Sequence, residues 1–397
     1  MTNMFGYKQI KKVSKQIRGV TYKKSDISET PKEGYIPLLR ANNIAGRRIN
    51  YDELVFIKQE SVRDDQLLEN FDILIATSSG SKKIVGKSAQ YYISKYEKVT
   101  FGAFCKVVRP DNKDINPRYL GCFFQTEIYR RNIDKVVTGS NINNLRNEHI
   151  DKQTLLVPNF EVQCKIADVI ESSETIIEKR QQQIEALSAL KQSVYYDMLN
   201  SFKKEKFKLK DILKIDTVTM KDFTENPEYY LIGIDNIEKD TGRIINHKKI
   251  TETSVKGSKH YFNEKHVLYS KIRPYLNKVA TPTFEGVCST DCYPLLVDET
   301  KATKEFVVLL LRSQEFVSYA NSQSTGANIP RINQTKLLNY NFLMPNLEIQ
   351  HRIKEKVNKI DQSILLMENS LEQINLLYDS ILHKAFNGEL FKEDINV

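Results

Sequence analysis

A long segment of this chain occurs twice. Residues 156–163 (LVPNFEVQ) recur as residues 343–350 (LMPNLEIQ). The offset between the copies is 187 residues, as from Pro158 to Pro345, and it holds without a gap. Each copy continues into about forty residues that contain neither glycine nor proline. A gap-free repeat of this length indicates that the chain is built from two related halves.

Each copy of the repeat predicts one long helix. A proline precedes an asparagine that can cap the helix, and a glutamate follows in the first turn, where the helix dipole favours an acid. In the second copy, apolar side chains fill every position of a 4-3 spacing: Ile353, Val357, Ile360, Ile364, Met367, Leu371, Ile374, Tyr378, Ile381 and Ala385. In the first copy, Ser173, Arg180 and Lys191 interrupt the same spacing, which is otherwise filled by Ile166, Ile170, Ile177, Ile184, Leu187, Val194 and Met198. This narrow stripe is typical of a coiled-coil seam, so we expect the two helices to pack on each other and each to span roughly 60 Å.

The repeat predicts an α+β chain with a pseudo-two-fold internal repeat. Two related mixed α/β domains, at 1–157 and 201–344, are separated by two long antiparallel coiled-coil helices at 158–200 and 345–385, and a short tail follows at 386–397. The pattern over 5–17 is compatible with a helix, and Pro117 is expected to open a helix that runs to about Arg131. Strands are predicted at 36–39, 54–57, 72–76, 90–93 and 104–109 in the first domain and at 267–272 and 292–297 in the second, with a helix over 303–320.

The composition narrows the class of protein. No apolar run approaches the roughly eighteen residues that a membrane-spanning helix needs, and the first residues lack the apolar core of a signal peptide. The five cysteines form no C-x-x-C pair, which predicts reduced thiols in a cytoplasmic protein rather than a zinc site. No phosphate-binding or dinucleotide-binding glycine motif is present. A net charge of +9 is compatible with a nucleic-acid partner but is too diffuse to establish one.

Three sets of loop residues are candidates for contacts with DNA. The segment 77–87 combines small hydroxyl residues and glycine, which let the backbone approach a phosphate, with basic side chains, and its candidates are Ser81, Lys82, Lys83 and Lys87. The segment 270–278, at the matching place in the second domain, contributes Lys271, Arg273, Tyr275 and Lys278. A third pair of segments contributes Asn141 with Arg146 and Asn328 with Arg331, since an asparagine can pair with adenine. Any one loop is also compatible with a solvated turn, but matching positions in two domains favour nucleic-acid binding for the set.

Two alternatives remain open at this point. Asp291, Glu299 and Lys301 have roughly the D…E-x-K spacing of many metal-dependent nucleases, in which acids hold Mg²⁺ and a lysine lies near the attacking water. The charged run over 297–301 favours an exposed loop after a strand as the alternative interpretation of the same residues. The second alternative is a coiled-coil scaffold whose globular domains bind protein rather than DNA.

Taken together, the chain resembles the specificity subunit of a type I restriction-modification system. The resemblance rests on the duplicated P-N-[FL]-E-[VI]-Q helix start at 158–163 and 345–350, on the two long helices, on the segment SKIRPYL at 270–276, and on the tail AFNGEL at 385–390. It covers the whole chain, and the order of the elements is more specific than any single motif.

The resemblance implies a non-catalytic DNA-recognition subunit of a methyltransferase and endonuclease complex. Each globular domain would be a target-recognition domain that reads one half of a bipartite site in double-stranded DNA, and the helices would set the gap and dock two methyltransferase (modification) subunits. Those subunits would bind S-adenosylmethionine and flip adenine out of the stack for N6 methylation, while restriction motor-nuclease subunits would use ATP and Mg. The chain itself would hold no cofactor and no metal and would not contact a membrane.

Geometry adds a prediction about the gap between the two halves of the DNA site. Two DNA-reading domains related by a pseudo-two-fold axis on one face of DNA lie roughly ten base pairs apart, centre to centre. Inserting four residues near Gln182 adds about 6 Å of helix and is expected to lengthen the gap without changing either half of the site.

Overall fold

The computed structural model of the chain describes residues 6–111, 113–139, 144–201, 204–253, 255, 257–326 and 328–392. The chain divides into two compact units, one made of Met1–Lys179 with Leu371–Val397 and the other of Arg180–Ser370. We call them the first unit and the second unit. Two long helices each begin in one unit and end in the other.

The first unit combines short strands with helices. Its strands are β1 (Gly6–Gln9), β2 (Ser14–Arg18), β3 (Ile27–Ser28), β4 (Tyr35–Leu39), β5 (Ile44–Ala45), β6 (Arg48–Ile49), β7 (Val55–Lys58), β8 (Ile73–Ala76), β9 (Ser88–Gln90), β10 (Thr100–Phe101), β11 (Cys105–Pro110) and β12 (Thr154–Val157). Its helices are α1 (Pro117–Phe123), α2 (Glu127–Gly139), α3 (Asn147–Asp151) and the beginning of α4 (Phe160–Ser201). The strands form sheets of order β2-β11-β8-β9-β6-β5 and β10-β4-β7-β3, and β1 pairs with β12.

The second unit repeats this plan. Its strands are β13 (Lys204–Lys208), β14 (Leu213–Ile215), β15 (Thr219–Met220), β16 (Tyr230–Ile232), β17 (Lys248–Lys249), β18 (Lys259–Phe262), β19 (His266–Ser270), β20 (Val279–Ala280), β21 (Gly286–Cys288), β22 (Cys292–Val297) and β23 (Asn341–Pro345). Its helices are α5 (Leu209–Ile212), α6 (Lys304–Arg312), α7 (Gln314–Ser322), α8 (Gln334–Leu338) and the beginning of α9 (Leu347–Phe386). The sheets have the orders β14-β22-β19-β20 and β15-β18-β21-β16-β17, and β13 pairs with β23.

The two units share their central strand pairings. The antiparallel order β2-β11-β8 in the first unit corresponds to β14-β22-β19 in the second. In each unit, the strand that leads into a long helix pairs with the first strand of its half: β12 with β1, and β23 with β13. The internal repeat predicted for the globular parts is therefore present at the level of strand topology.

The helix suggested over 5–17 is wrong. The described residues of this segment, 6–17, form β1, a 3-10 turn over Ile10–Lys12 and most of β2. Ile10 and Val13 are buried in one hydrophobic cluster and Ile17 in another, so residues with a helix-like spacing are divided between two parts of the core. The extended form is selected by long-range pairing, since β1 bonds to β12 and β2 to β11.

The other globular helices are shorter than the sequence predicts. The segment expected from Pro117 to about Arg131 breaks between α1 and α2, where the Thr126 hydroxyl accepts a hydrogen bond from Tyr129 N at 3.1 Å. The segment expected over 303–320 breaks at Ser313, whose hydroxyl accepts from Phe316 N at 3.2 Å. A hydroxyl side chain that caps a new helix competes with continuation of the old one. The strand predicted over 90–93 is displaced and lies at Ser88–Gln90.

The duplicated motif fastens each long helix to its own unit. Asn159 caps α4 by accepting from Val162 N at 2.8 Å, and Asn346 caps α9 by accepting from Ile349 N at 3.0 Å. The glutamine four residues after each cap is fully buried. Gln163 accepts from Asn116 N at 2.7 Å and donates to the carbonyls of Asp114 and Pro158 at 3.0 and 2.8 Å.

Gln350 makes the equivalent bonds in the second unit. It accepts from Thr303 N at 2.9 Å and donates to the carbonyls of Lys301 and Pro345 at 3.4 and 2.9 Å. Asn116 and Thr303 are the N-caps of α1 and α6. The motif therefore joins three points of the backbone at the start of each long helix.

The predicted apolar stripe is present on both long helices. All ten of its positions on α9 are buried or half-buried, and so are its described positions on α4; the side chain of Met198 lies outside the described part of the structure. In the first unit, Tyr378 of α9 donates a hydrogen bond to Glu174 of α4 at 2.9 Å. In the second unit, Lys191 of α4 binds Asp361 of α9 at 2.6 Å, so one of the residues that interrupts the stripe has an acidic partner on the other helix.

Aromatic side chains complete the core of each unit beside these helices. In the first unit, Tyr119 of α1 stacks on Phe386 of α9, with ring centroids 4.8 Å apart. In the second unit, Tyr195 of α4 packs against Phe306 of α6 at 5.9 Å. Within the described ranges, no helix is both long and apolar enough to cross a membrane.

Candidate nucleic-acid interface

In the first unit, two of the predicted loops come together. The segment after β8 pairs with the segment before α3 through a bridge between Ser78 and Asn144, and Leu145 N donates to Thr77 O at 2.7 Å. Arg146, which follows directly, is exposed. The structure therefore brings this arginine close to the loop 77–87, while Asn141 lies outside the described residues.

The second unit brings together the equivalent loops. Ile272 forms a bridge with Arg331, Ile332 N donates to Lys271 O at 2.9 Å, and Arg273 N donates to Pro330 O at 2.7 Å. Arg331 corresponds to Asn144 at the repeat offset of 187. The same two segments thus associate in both units, although they are far apart in sequence.

A third segment joins each cluster, and sequence reasoning did not identify it as part of the site. It is a 3-10 turn, Ala41–Asn43 in the first unit and Ile234–Asn236 in the second. The last asparagine braces the turn in both: Asn43 accepts from Arg40 N at 2.9 Å, and Asn236 accepts from Gly233 N at 2.8 Å. Each amide group also donates to two carbonyls further along the chain at 3.0 Å. The detectable signal was an asparagine at corresponding places in two otherwise diverged segments.

The third segment completes a cavity in the first unit. Its volume is about 340 Å³, and it is an open cavity lined by the braced turn, the loop after β8 and the residues around the start of β11. The side chains and backbone that line it are those of Tyr22, Arg40, Ala41, Asn42, Ser78, Ser79, Gly80, Gly102, Phe104 and Cys105. In the second unit, the braced turn is joined to the loop 270–278 by Lys278, whose ammonium donates to Ile234 O at 2.9 Å.

The predicted contact residues of the first unit point outward. Ser81, Lys82, Lys83 and Lys87 are exposed on the turns between β8 and β9. The loop returns at Gly86, where φ is 82° and an added Cβ would lie 2.5 Å from the side chain of Ile133. Only glycine fits this position. Its close contact with α2 fixes the backbone of the loop that carries the exposed lysines.

The predicted contact residues of the second unit divide into two kinds. Arg273 and Tyr275 are exposed, the latter by 48%, and so are Asn328 and Arg331. Arg273 has a left-handed backbone with φ of 47°, a conformation that is costly for a side chain other than glycine and is held here by the bond to Pro330. Lys271 is half-buried and donates to Thr290 O at 2.7 Å, and Lys278 donates to Ile234 O. Both lysines therefore also hold the loop in place.

Each braced turn is also tied to a long helix. The hairpin that follows the turn in the first unit carries Arg48, whose guanidinium lies 2.8 Å from the Glu178 carboxylate of α4. The adjacent Arg47 stacks over the Tyr378 ring of α9 at 3.3 Å. In the second unit, Arg243 of the corresponding hairpin forms an ion pair with Glu368 of α9. The loop clusters are therefore connected to the helices by cationic side chains.

The residues with nuclease-like spacing do not form a metal site. Asp291 precedes the six-residue strand β22 and Glu299 follows it, so the strand separates them by about 20 Å. Lys301 pairs with Asp298 at 2.9 Å, and the Thr300 hydroxyl together with Lys301 lowers the pKa of Asp298 to about 2. Among the residues that the structure describes, no group of three or more acidic, histidine or cysteine side chains could hold a metal ion.

A family sequence model matches the chain twice. It is described as the type I restriction modification DNA specificity domain, and it covers residues 4–186 and 203–376. The chain belongs to this family. Each half carries one DNA specificity domain, which agrees with the internal repeat and with the strand pairings shared by the two units.

Relatives in the type I restriction-modification family cover nearly the whole chain. The specificity subunit of the type I restriction enzyme StySPI of Salmonella potsdam is 30% identical over 409 residues, which is 95% of this chain and 87% of the relative. The specificity subunit of EcoKI of Escherichia coli (strain K12) is 27% identical, with the same shares of both chains covered.

Solved structures of the type I system share the fold. A chain from a structure concerning complex assembly and conformational transition of the type I restriction-modification system has a TM-score of 0.55 at 13% identity and covers 97% of this chain and 98% of its own. The S subunit of the type I system of M. genitalium has a TM-score of 0.51 at 12% identity, with 97% and 96% covered. Neither the relatives nor these structures support a stand-alone nuclease.

Proposed function

We propose that this chain is the non-catalytic, sequence-reading subunit of a type I restriction-modification complex. Each unit would read one half of a bipartite site in double-stranded DNA. The observation that carries the proposal is the repeated loop cluster: in both units, the loop after a central strand bonds to a segment distant in sequence through equivalent backbone bonds. A braced turn lies beside this pair in each unit, lining the cavity in the first and accepting from Lys278 in the second. Two similar DNA-reading domains in one chain suit a target made of two short specified sequences, here called blocks, separated by a gap that is not read.

The exposed side chains of the clusters suit this role. Lys83, Lys87 and Arg146 in the first unit can neutralise phosphates, which position a protein on DNA without reading its sequence. In the second unit, Arg273 can bind guanine through two hydrogen bonds, and Asn328 can pair with adenine. These assignments rest on exposure and on residue chemistry.

The long helices would act as the spacer between the two blocks. Their contacts support antiparallel pairing, because the partners of Glu174 and Lys191 on α9 occur in reverse order, at Tyr378 and Asp361. An antiparallel coiled coil within a pseudo-two-fold repeat would hold the readers roughly ten base pairs apart, centre to centre.

The helices also offer surfaces for two methyltransferase subunits. In the first unit Leu376 and Leu377 are 59% and 60% exposed, and in the second unit Leu365 and Leu366 are 58% and 70% exposed. One apolar patch per unit suits one methyltransferase per unit, because such patches on a helix are covered favourably by a partner. In this proposal the methyltransferases bind S-adenosylmethionine and methylate adenine N6, motor-nuclease subunits use ATP and Mg, and the assembly works in the cytoplasm.

The test is to map N6-methyladenine across the genome of the host, with the gene, without it, and with the gene restored in trans. We expect one bipartite motif to disappear on deletion and to return on complementation. If every methylated motif is unchanged while the methyltransferase subunit is expressed, the proposal is wrong.

A second measurement addresses the alternative of a scaffold that does not bind DNA. DNA affinity should be measured with the methyltransferase partner bound, over a range of salt concentrations. The logarithm of the binding constant should fall linearly with the logarithm of salt concentration, because phosphate contacts release counterions. Affinity that is absent, or independent of salt, would favour the scaffold.

A further inference from the structure

Phe104 and Asp291 occupy the same place in the two units. Phe104 directly precedes β11 and Asp291 directly precedes β22, at the repeat offset of 187. Both use their backbone carbonyl to hold the loop after the neighbouring strand: Thr77 N and Ser78 N donate to Phe104 O at 2.9 and 3.1 Å, and Lys271 N donates to Asp291 O at 3.0 Å. The position is therefore structurally conserved between the units, whereas the side chain changes from apolar to anionic.

The Phe104 ring is presented to solvent at the centre of the first loop cluster. Its side chain is 69% exposed and lines the 340 Å³ cavity beside the polar groups of Arg40, Asn42 and Ser79. The Phe104 carbonyl accepts three hydrogen bonds, from Thr77 N, Ser78 N and the Thr77 hydroxyl, so the backbone that carries the ring is fixed beside the cavity. An apolar group fixed among hydrogen-bond donors is suited to the edge of a thymine, whose methyl group distinguishes it in the major groove.

The Asp291 carboxylate is presented in the corresponding way in the second cluster. It lies 3.6 Å from the ammonium of Lys271 and 3.9 Å from the guanidinium of Arg331, and its side chain is 32% exposed. A carboxylate near DNA is repelled by the phosphates, so its presence among cationic side chains would lower affinity unless it contacts a base. The base group that suits a carboxylate is the exocyclic amino group of cytosine.

We propose that Phe104 and Asp291 determine specificity, one in each half of the DNA site. Phe104 contacts a thymine methyl group in the half read by the first unit, and Asp291 accepts a hydrogen bond from a cytosine N4 amino group in the half read by the second. Lys271 and Arg331 orient the carboxylate and offset its charge. This assignment rests on the proposed function and adds the chemistry of one base position in each block.

The test uses a host that lacks the gene and receives the full chain as wild type, Phe104→Ala or Asp291→Asn, followed by mapping of N6-methyladenine. Phe104→Ala should relax one position of one block, with discrimination against other bases falling about tenfold. Asp291→Asn should change or relax one position of the other block, because an amide both donates and accepts. Tyr7→Ala, which removes a 68% exposed aromatic outside the cluster, and Glu299→Gln, which removes an exposed acid after the same strand, should leave both blocks as in the wild type.

The outcomes distinguish a failure of the proposed function from a failure of the roles assigned to Phe104 and Asp291. A wild type without any bipartite motif overturns the proposed function itself. A bipartite wild-type motif that neither Phe104→Ala nor Asp291→Asn alters overturns the assignment of these residues and leaves the proposed function standing. A single variant that changes both blocks also overturns the assignment.

Conservative variants cover the case in which a substitution abolishes methylation altogether. Phe104→Leu keeps an apolar group and Asp291→Glu keeps an acceptor, so both should restore methylation with the original base preferred at the affected position. If they too abolish methylation while the melting temperature of the purified chain is unchanged, the residues act in something other than base selection and the assignment is wrong.

Discussion

At the scale of single residues, the duplicated glutamines show why the repeat is preserved where it is. Gln163 and Gln350 are fully buried, and each satisfies one backbone N–H and two carbonyls at the junction between a long helix and its unit. An unsatisfied buried backbone group costs free energy, so other side chains at this position leave a penalty. The asparagine caps and the first-turn acids were predictable from local sequence, but these partners were not.

We predict that Gln163→Leu lowers the free energy of unfolding by about 1–3 kcal/mol, because Asn116 N–H loses its buried acceptor. The measurement is the midpoint of urea denaturation followed by circular dichroism. Gln182→Leu, at an exposed position of the same helix, is the matched control and should change the free energy by no more than about 0.5 kcal/mol. Equal midpoints for the two variants would show that the junction does not depend on this side chain.

The pair Glu174 and Tyr378 gives a prediction about pH. Burial raises the pKa of the Glu174 carboxyl, while the hydroxyl of Tyr378 and the guanidinium groups of Arg47 and Arg48 oppose the rise, and Glu171 adds to it. For an acid whose native pKa is raised, the native state holds the proton more tightly than the unfolded state, so stability falls as the pH rises through the native pKa. Tyr378→Phe removes a donor and raises this pKa further.

The variant Tyr378→Phe should therefore lose more stability at about pH 8 than at about pH 4, which lies below the pKa of an unfolded glutamate. The expected difference is about 1.5–3 kcal/mol, the typical contribution of a hydrogen bond to a charged group. Urea midpoints at the two pH values measure it. Introducing Glu174→Gln should abolish the pH dependence of the effect, and a loss that is the same at both pH values in the parent background would contradict the prediction.

At the level of secondary-structure elements, the long helix α9 carries two kinds of apolar side chain: a buried stripe and a set of exposed leucines. The stripe on α9 is buried or half-buried throughout, and at Leu376 and Leu377 the side chains are more than half exposed. The 4-3 spacing predicts the stripe because helix geometry is local. The exposed leucines lie outside the stripe, so they contribute little to the core of the chain itself.

We predict that the double variant Leu376→Gln and Leu377→Gln weakens binding of the purified methyltransferase subunit by at least about tenfold. Each leucine that a partner covers contributes roughly 1–2 kcal/mol for the exposed part of its area. Titration calorimetry measures the affinity, and glutamine preserves helix propensity so that the urea midpoint should not fall. Glu372→Gln with Asp379→Asn, two exposed positions on the same segment, is the control. Unchanged affinity in the leucine variant would remove this surface from the proposed interface.

At the scale of the whole molecule, the chain is two units that share two helices. The divisions lie after Lys179 in α4 and after Ser370 in α9, so each helix passes from one unit to the other. In the proposed function these continuous helices set the distance between the two blocks of the DNA site. Their length is then a property that can be altered without touching either reader.

We predict that inserting four residues at both divisions lengthens the unread gap by about two base pairs and leaves both blocks unchanged. Four residues add about 6 Å of helix, and because four is close to one turn the apolar stripe stays nearly in phase. Methylation mapping reads the gap directly. Replacing residues 181–183 with alanine, which alters the sequence but not the length, is the control. A changed block with an unchanged gap would contradict the spacer model.

The elements that depend on residues close together along the chain could be predicted from the sequence. The repeat, the long helices and their caps, the apolar stripe and several strands followed from spacing and composition, because helix geometry and capping involve residues a few positions apart. The family resemblance rested on the same features, and the family match confirms it. The loops proposed to contact DNA were recognised as a set, since they recur at matching positions.

Which distant residues meet depends on the folded structure of each unit. Ile10, Val13 and Ile17 have a helix-like spacing, yet β1 and β2 form because β12 and β11 supply their hydrogen bonds. The braced turns, the buried glutamines and the shared position of Phe104 and Asp291 likewise arise from backbone pairing between segments separated by tens of residues. Such pairing depends on the fold of the whole unit, because hydrogen-bond partners are selected by proximity in space and leave no fixed spacing along the chain.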